Sequence, residues 1–157
     1  MNTYRTLVRP KLEYASAIWD PYQANHVNQL ESVQKRAARY IMNKPATRSA
    51  NQESVTQMMK QLKLEPLELR RKRSRCVTLY KMVNDLIDIP QQYHPNKKEE
   101  NRQTRNSTFQ FQVHQPTVDC YKYSFIPRTI IDWNCLPPSV MNAKTLMAFK
   151  SSLIKDY

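Results

Sequence analysis

A chain of 157 residues with 25 Lys/Arg against 13 Asp/Glu carries +12 at neutral pH, an excess that calls for an anionic partner, nucleic acid before an anionic membrane surface. It contains no glycine, which excludes phosphate-cradling loops, dinucleotide fingerprints and nucleophile elbows, since each needs a backbone approach that only glycine permits. No apolar run approaches the ~18–20 residues of a membrane span, the N-terminus lacks the apolar core of a secretory signal, and three scattered cysteines (Cys76, Cys120, Cys135) suggest a reducing compartment, nuclear or cytoplasmic, without a disulfide framework.

Tyr4, Leu7, Val8, Leu12, Ala15 and Trp19 recur at helical spacing. Pro10 lies inside that pattern and must either start the helix or kink it. The next helix is clearer: in "NHVNQLESVQKRAARYIMN" the apolar positions are Val27, Leu30, Val33, Ala37, Ala38 and Ile41, with Lys35, Arg36 and Arg39 off the stripe. Asn43 follows the last turn, where a left-handed cap is wanted and asparagine substitutes for glycine. Ser49 and Gln52 have capping-box spacing, and behind them Val55, Met58, Met59 and Leu62 form one face of a short helix. "LEPLELRRKRSRC" opens a fourth helix, with Pro66 as its first residue, Glu68 as its third, and Leu64 and Leu69 placed as a hydrophobic staple. Its buried stripe continues through Cys76, Leu79, Val83 and Leu86.

From 88 to 108 the chain turns polar and charged, almost without aliphatics, as a linker does. "TFQFQVH" (108–114) then alternates like a half-buried strand and is expected to pair with part of "DCYKYSFI". Pro127 and Pro137 bound a short helix whose Ile130, Ile131 and Trp133 are its load for burial, and a last amphipathic helix runs through Leu146, Phe149, Leu153 and Ile154. The expected fold is mainly α: a bundle of about four helices, then a small C-terminal unit with a short β-hairpin and two short helices. The expected divisions are 1–88, a linker at 89–108, and 109–157. Trp19, Leu30, Val33, Trp133 and Phe149 are the expected core anchors.

Catalytic chemistry finds little footing. The adjacent acids Glu99 and Glu100 fall in the linker, where a solvated charge run outweighs a metal site. His94, His114, Cys120 and Cys135 lack zinc-ligand spacing. A Ser124–His114–Asp132 triad has no oxyanion loop, and Cys76 sits on a buried stripe. No metal, cofactor or small-molecule substrate is expected.

The cations are more informative. Between Lys35 and Arg75 twelve Lys/Arg stand against three acids, a net +9 of the chain's +12. "RRKRSR" sets Arg70, Arg71, Lys72, Arg73 and Arg75 on about one and a half helical turns, where they repel one another. A phosphate backbone relieves that repulsion and releases counterions; a solvated basic face or a localisation patch is the bland alternative. Arginine's two-pronged geometry favours phosphate. Tyr121, Tyr123 and Phe125 interleave with Lys122, so base stacking and core packing both fit them.

Five blocks occur in order: "YRTLVRPKLEYASAIWDPY" (4–22), "LESVQKRAARYI" (30–41), "LELRRKR…LYKMVN" (67–84), "YKYSFIPRTIIDWNCLP" (121–137) and "TLMAFKSSL" (145–153). Together they resemble the region downstream of the polymerase core in jockey-like non-LTR retrotransposon reverse transcriptases. The resemblance implies a thumb-like helical region and a C-terminal extension, which contact template and primer or pack on the polymerase. The family's endonuclease and metal-binding Asp-Asp turn lie upstream of the part resembled. Lys35, Arg36 and Arg39 match its basic helix, and Arg70 and Arg71 its paired arginines. Asn43 and Asp85 stand where the family often has glycine, which hints at a drifting copy in which Met1 is an internal methionine turned start codon. The expected function is a non-catalytic fragment that holds RNA or an RNA–DNA hybrid by its phosphates through Lys35, Arg36, Arg39, Arg70, Arg71, Lys72, Arg73 and Arg75. The alternatives are a scaffold docked on the upstream polymerase domain, or a degenerate remnant with no activity of its own.

Overall fold

With no glycine to spare, the chain puts other residues into the left-handed backbone region: Ala15 (φ 50°), Asn43 (φ 51°), Lys63 (φ 51°) and Asp85 (φ 52°). The computed structural model describes residues 2–44, 52–97, 110–113 and 117–156, and among these it is mainly helical. Three of the left-handed residues end helices: Asn43 after α3 (Ala24–Ile41), Lys63 after α4 (Gln52–Gln61) and Asp85 after α5 (Leu67–Val83). Each builds the same pair of bonds. Asn43 N–H donates to the Tyr40 carbonyl (3.1 Å) and Lys44 N–H to Arg39 (3.0 Å); Lys63 N–H donates to Lys60 (3.0 Å) and Leu64 N–H to Met59 (2.9 Å); Asp85 N–H donates to Met82 (3.3 Å) and Leu86 N–H to Lys81 (2.8 Å). This is the Schellman termination, which satisfies carbonyls that the helix end would strand. The expected cap at Asn43 is present, and Lys63 plays the same part unannounced.

At the N-terminus the helix passes across Pro10 rather than starting or breaking there. A π-helical turn (Tyr4–Val8), closed by Arg9 N–H on the Tyr4 carbonyl, runs into α1 (Arg9–Glu13). Widening the turn just ahead of Pro10 separates its ring from the carbonyl four residues back, the clash that breaks a regular helix. The chain then breaks at Ala15 before α2 (Ser16–Trp19). That break removes the continuous stripe expected from Tyr4 to Trp19: Tyr4 is buried, whereas Trp19 is 40% exposed and donates its indole N–H to the Tyr14 carbonyl.

The structure divides into two compact units, residues 1–71 and 72–157, with the boundary inside α5. The expected division followed the polar stretch 89–108 instead. The later half of α5 belongs with the C-terminal residues because Cys76, Leu79, Tyr80 and Met82 join their core. Residues 98–108 of that stretch, the expected strand residues 108, 109 and 114, and the Ser49 capping position lie outside the described residues.

In the first unit the core holds Tyr4, Ala38, Val55, Met58, Met59 and Leu64. Leu30 and Val33, expected there, are half-buried, because the buried face of α3 is Glu31, Gln34 and Ala38, one position further round. Polar contacts set that rotation. Gln34 accepts from the Tyr4 hydroxyl (2.7 Å) and donates to the Glu65 carbonyl (2.7 Å), while Glu31 accepts from Glu68 N–H (2.8 Å) and so caps the start of α5.

In the second unit Trp133 and Phe149 are buried, with their rings 5.4 Å apart. Tyr80 stacks on Phe149 at 4.4 Å, and Phe111 lies 5.8 Å from Trp133. The 124–137 stretch forms α7 (Phe125–Asn134), with Pro127 inside its first turn, where a missing N–H costs nothing. Ile130 is buried but Ile131 is 49% exposed. α8 (Pro138–Met141) and α9 (Leu146–Asp156) follow.

No strand occurs among the described residues, and the expected hairpin is not seen among them. Its second limb is instead helical, α6 (Asp119–Lys122). Phe111 forms a single antiparallel bridge with Lys97, and the Asn134 side chain takes the place of a partner strand. Asn134 accepts from Phe111 N–H (3.0 Å) and donates to the Phe111 carbonyl (2.9 Å).

Candidate nucleic-acid interface

The eight expected phosphate ligands separate into two groups. Most of those on α5 are tied to carboxylates, and two of them, Arg71 and Arg75, are buried. Arg70 grips both carboxylate oxygens of Glu13, through Nε and through Nη2 (3.0 Å), and has Glu65 at 3.7 Å; the Glu13 bond raises its pKa further despite burial. Arg71 is fully buried, with Nε 2.6 Å from Asp20 Oδ1, and desolvation lowers its pKa. Lys72 (3.2 Å) and Arg75 (2.6 Å) share the two oxygens of Asp132, and Arg75 is buried as well. Arg73 is half-buried. The mutual repulsion of this run is thus relieved by Glu13, Asp20 and Asp132, which corrects the expectation that Arg71 and Arg75 face a polyanion. The signal was present in the spacing. Counting back from buried Leu79 in steps of four reaches Arg75 and then Arg71, so both lie on the buried stripe.

The second group is different. Lys35 and Arg39 are half-buried and Arg36 is exposed. Among the described residues none of the three has an ion-pair partner. At 3.6 residues per turn they fall within about 100° of the helix circumference. Beside them opens a groove of about 590 Å³ lined by Thr3, Tyr4, Val8, Val33, Arg36, Ala37, Tyr40 and Ile41. Its wall includes Tyr40, which is 88% exposed. Tyr40 lies seven residues beyond Val33 and three beyond Ala37, at the edge of the apolar stripe where it meets the cationic face.

No family model, curated protein or solved structure matches the chain.

The remaining candidates have ordinary roles. Asp132 is occupied by Lys72 and Arg75, and Ser124 donates to the Tyr121 carbonyl (2.7 Å), so neither is arranged for a triad; His114 lies outside the described residues. His94 Nε2 is 3.1 Å from the Ile89 carbonyl. Cys120 and Cys135 are exposed thiols, while burial pushes the Cys76 thiol up to about 12, which suits packing and not nucleophilic attack. Among the described residues no group of three or more His, Cys, Asp or Glu could hold a metal. No described helix is long and apolar enough to cross a membrane. Tyr121 is 47% exposed on α6, and Lys122 Nζ lies 5.2 Å from the Tyr123 ring centre, so this stretch presents no aromatic strand face.

Proposed function

We propose that the chain is a non-catalytic, thumb-like piece similar to the C-terminal region of a jockey-like non-LTR reverse transcriptase, contacting the phosphates of RNA or an RNA–DNA hybrid. The contact surface is the polar face of α3, with Lys35, Arg36 and Arg39 as its ligands. One observation carries this reading: these cations have no carboxylate partner among the described residues, whereas most of those on α5 do. Unneutralised arginines on a rigid helix gain from a phosphate what Arg71 already gains from Asp20. Binding is expected to be tolerant of sequence, since phosphates are the same under every base.

The test is binding of random-sequence RNA across a salt series. Affinity is expected to fall steeply between about 50 and 200 mM salt. Replacing Lys35, Arg36 and Arg39 with alanine should lower the salt slope by about 1 for each phosphate left without its cation. A flat salt curve for the unaltered protein would remove the reading.

A second reading, a scaffold that docks on an upstream polymerase domain, is favoured by one observation. Leu7 (63%), Tyr14 (80%) and Ile18 (81%) are each exposed within the first twenty residues, apolar side chains that a docked partner would cover. Broad amide spectra that sharpen on adding that domain, and not on adding RNA, would favour it.

A further inference from the structure

Resting on the phosphate reading of α3, we infer that this face takes single-stranded nucleic acid, with one unpaired base stacked on Tyr40 at the mouth of the adjoining groove. Tyr40 is 88% exposed although its helix has a half-buried apolar flank available. It stands one turn beyond Arg36, so an aromatic face and a cation share one stretch of surface. A nucleotide carries the complement of both: a π face on the base and a negative charge on the phosphate. Arg36 lines the groove together with Tyr40, and Val8, Ala37 and Ile41 supply apolar wall. At about 590 Å³ the groove lies within the range that accepts a small planar ligand.

The interior of a duplex cannot use this arrangement, because both faces of each interior base are already stacked inside the helix. An unpaired stretch, or the frayed end of a hybrid, presents the base and leaves its phosphate at the surface for Arg36. Stacking does not discriminate strongly among bases, so the preference is for strandedness and not for sequence.

Fluorescence anisotropy of the full chain with labelled oligo(U) and with a blunt RNA–DNA hybrid of equal length tests the inference. The unaltered protein should prefer oligo(U), and Tyr40→Ala should reduce that preference roughly tenfold, the factor expected for removing one base stack. Tyr40→Trp should keep the preference and Tyr40→Leu should abolish it. If neither probe binds, the phosphate reading falls and the stack with it. If both bind but Tyr40→Ala leaves the preference unchanged, or Tyr40→Leu keeps it, the stack alone is overturned and the phosphate reading stands.

Discussion

Asp20→Ala is the most direct probe of how the basic run on α5 is stabilised. Asp20 and Arg71 have side-chain exposures of 3% and 0%, with Nε 2.6 Å from Oδ1. Two further guanidinium nitrogens of Arg71, Nη1 and Nη2, are buried without a hydrogen-bond partner. Removing the carboxylate leaves a buried cation without its contacting anion, a change that costs about 3–5 kcal/mol. For a chain of this size each kcal/mol moves the melting temperature by about 2–4 °C, so Asp20→Ala should melt roughly 6–20 °C lower. The double variant Asp20→Ala/Arg71→Met removes both charges, keeps most of the buried volume, and should recover much of that stability. Thermal melts followed by circular dichroism read all three proteins. An Asp20→Ala variant melting within about 2 °C of the parent, below the shift expected from even 1 kcal/mol of destabilisation, would refute the reasoning. So would a double variant no more stable than Asp20→Ala.

Lys63→Gly should stabilise the protein by roughly 0.5–1 kcal/mol, because a non-glycine residue in the left-handed region costs about 1–2 kcal/mol and the added backbone freedom returns about 0.5–1; a lower melting temperature would contradict this. Trp133→Ala removes a ring that packs against both Phe111 and Phe149 and should cost about 3–5 kcal/mol, visible as an earlier denaturant midpoint. Burial pushes the Tyr4 hydroxyl from 10.0 up to about 12, so the folded state holds this proton more tightly than the unfolded chain does. Stability from this group is complete below pH 10 and falls as pH rises toward 12. Tyr4→Phe should flatten that part of a pH–stability curve, while costing about 1–2 kcal/mol at neutral pH because Gln34 is deprived of its donor.

Much of the helical order could be read from residue spacing. Val55, Met58 and Met59 are buried together as their face predicts, and Trp133 and Phe149 meet in the core. What escaped was set by partners distant in sequence. α3 shows an apolar stripe through Leu30 and Val33, yet Gln34 is buried because Tyr4 and Glu65, some thirty residues away in either direction, supply its hydrogen bonds. "TFQFQVH" alternates like a strand, but its described part forms only the single bridge of Phe111 with Lys97, and Asn134 takes up the Phe111 backbone where a ladder would continue. The cationic run reads as surface by its charge but as a buried stripe by its period. Arg71 and Arg75 occupy stripe positions, and carboxylates more than fifty residues away allow them to. Tyr40 continues the stripe of Val33 and Ala37, yet it stands 88% exposed, because period places a residue on a face without saying whether anything covers it.

Glu31 gives α5 an unusual dependence. The first turn of a helix ordinarily finds its cap in its own immediate neighbours, which lets it begin to form by itself. Here the acceptor for Glu68 N–H arrives from α3, 37 residues earlier, and the segment that must coil carries five cations in six positions. As a free peptide it would have both a frayed beginning and strong self-repulsion. Its helicity is therefore lent by the tertiary structure, so the opening turn of α5 forms and melts together with α3 rather than before it.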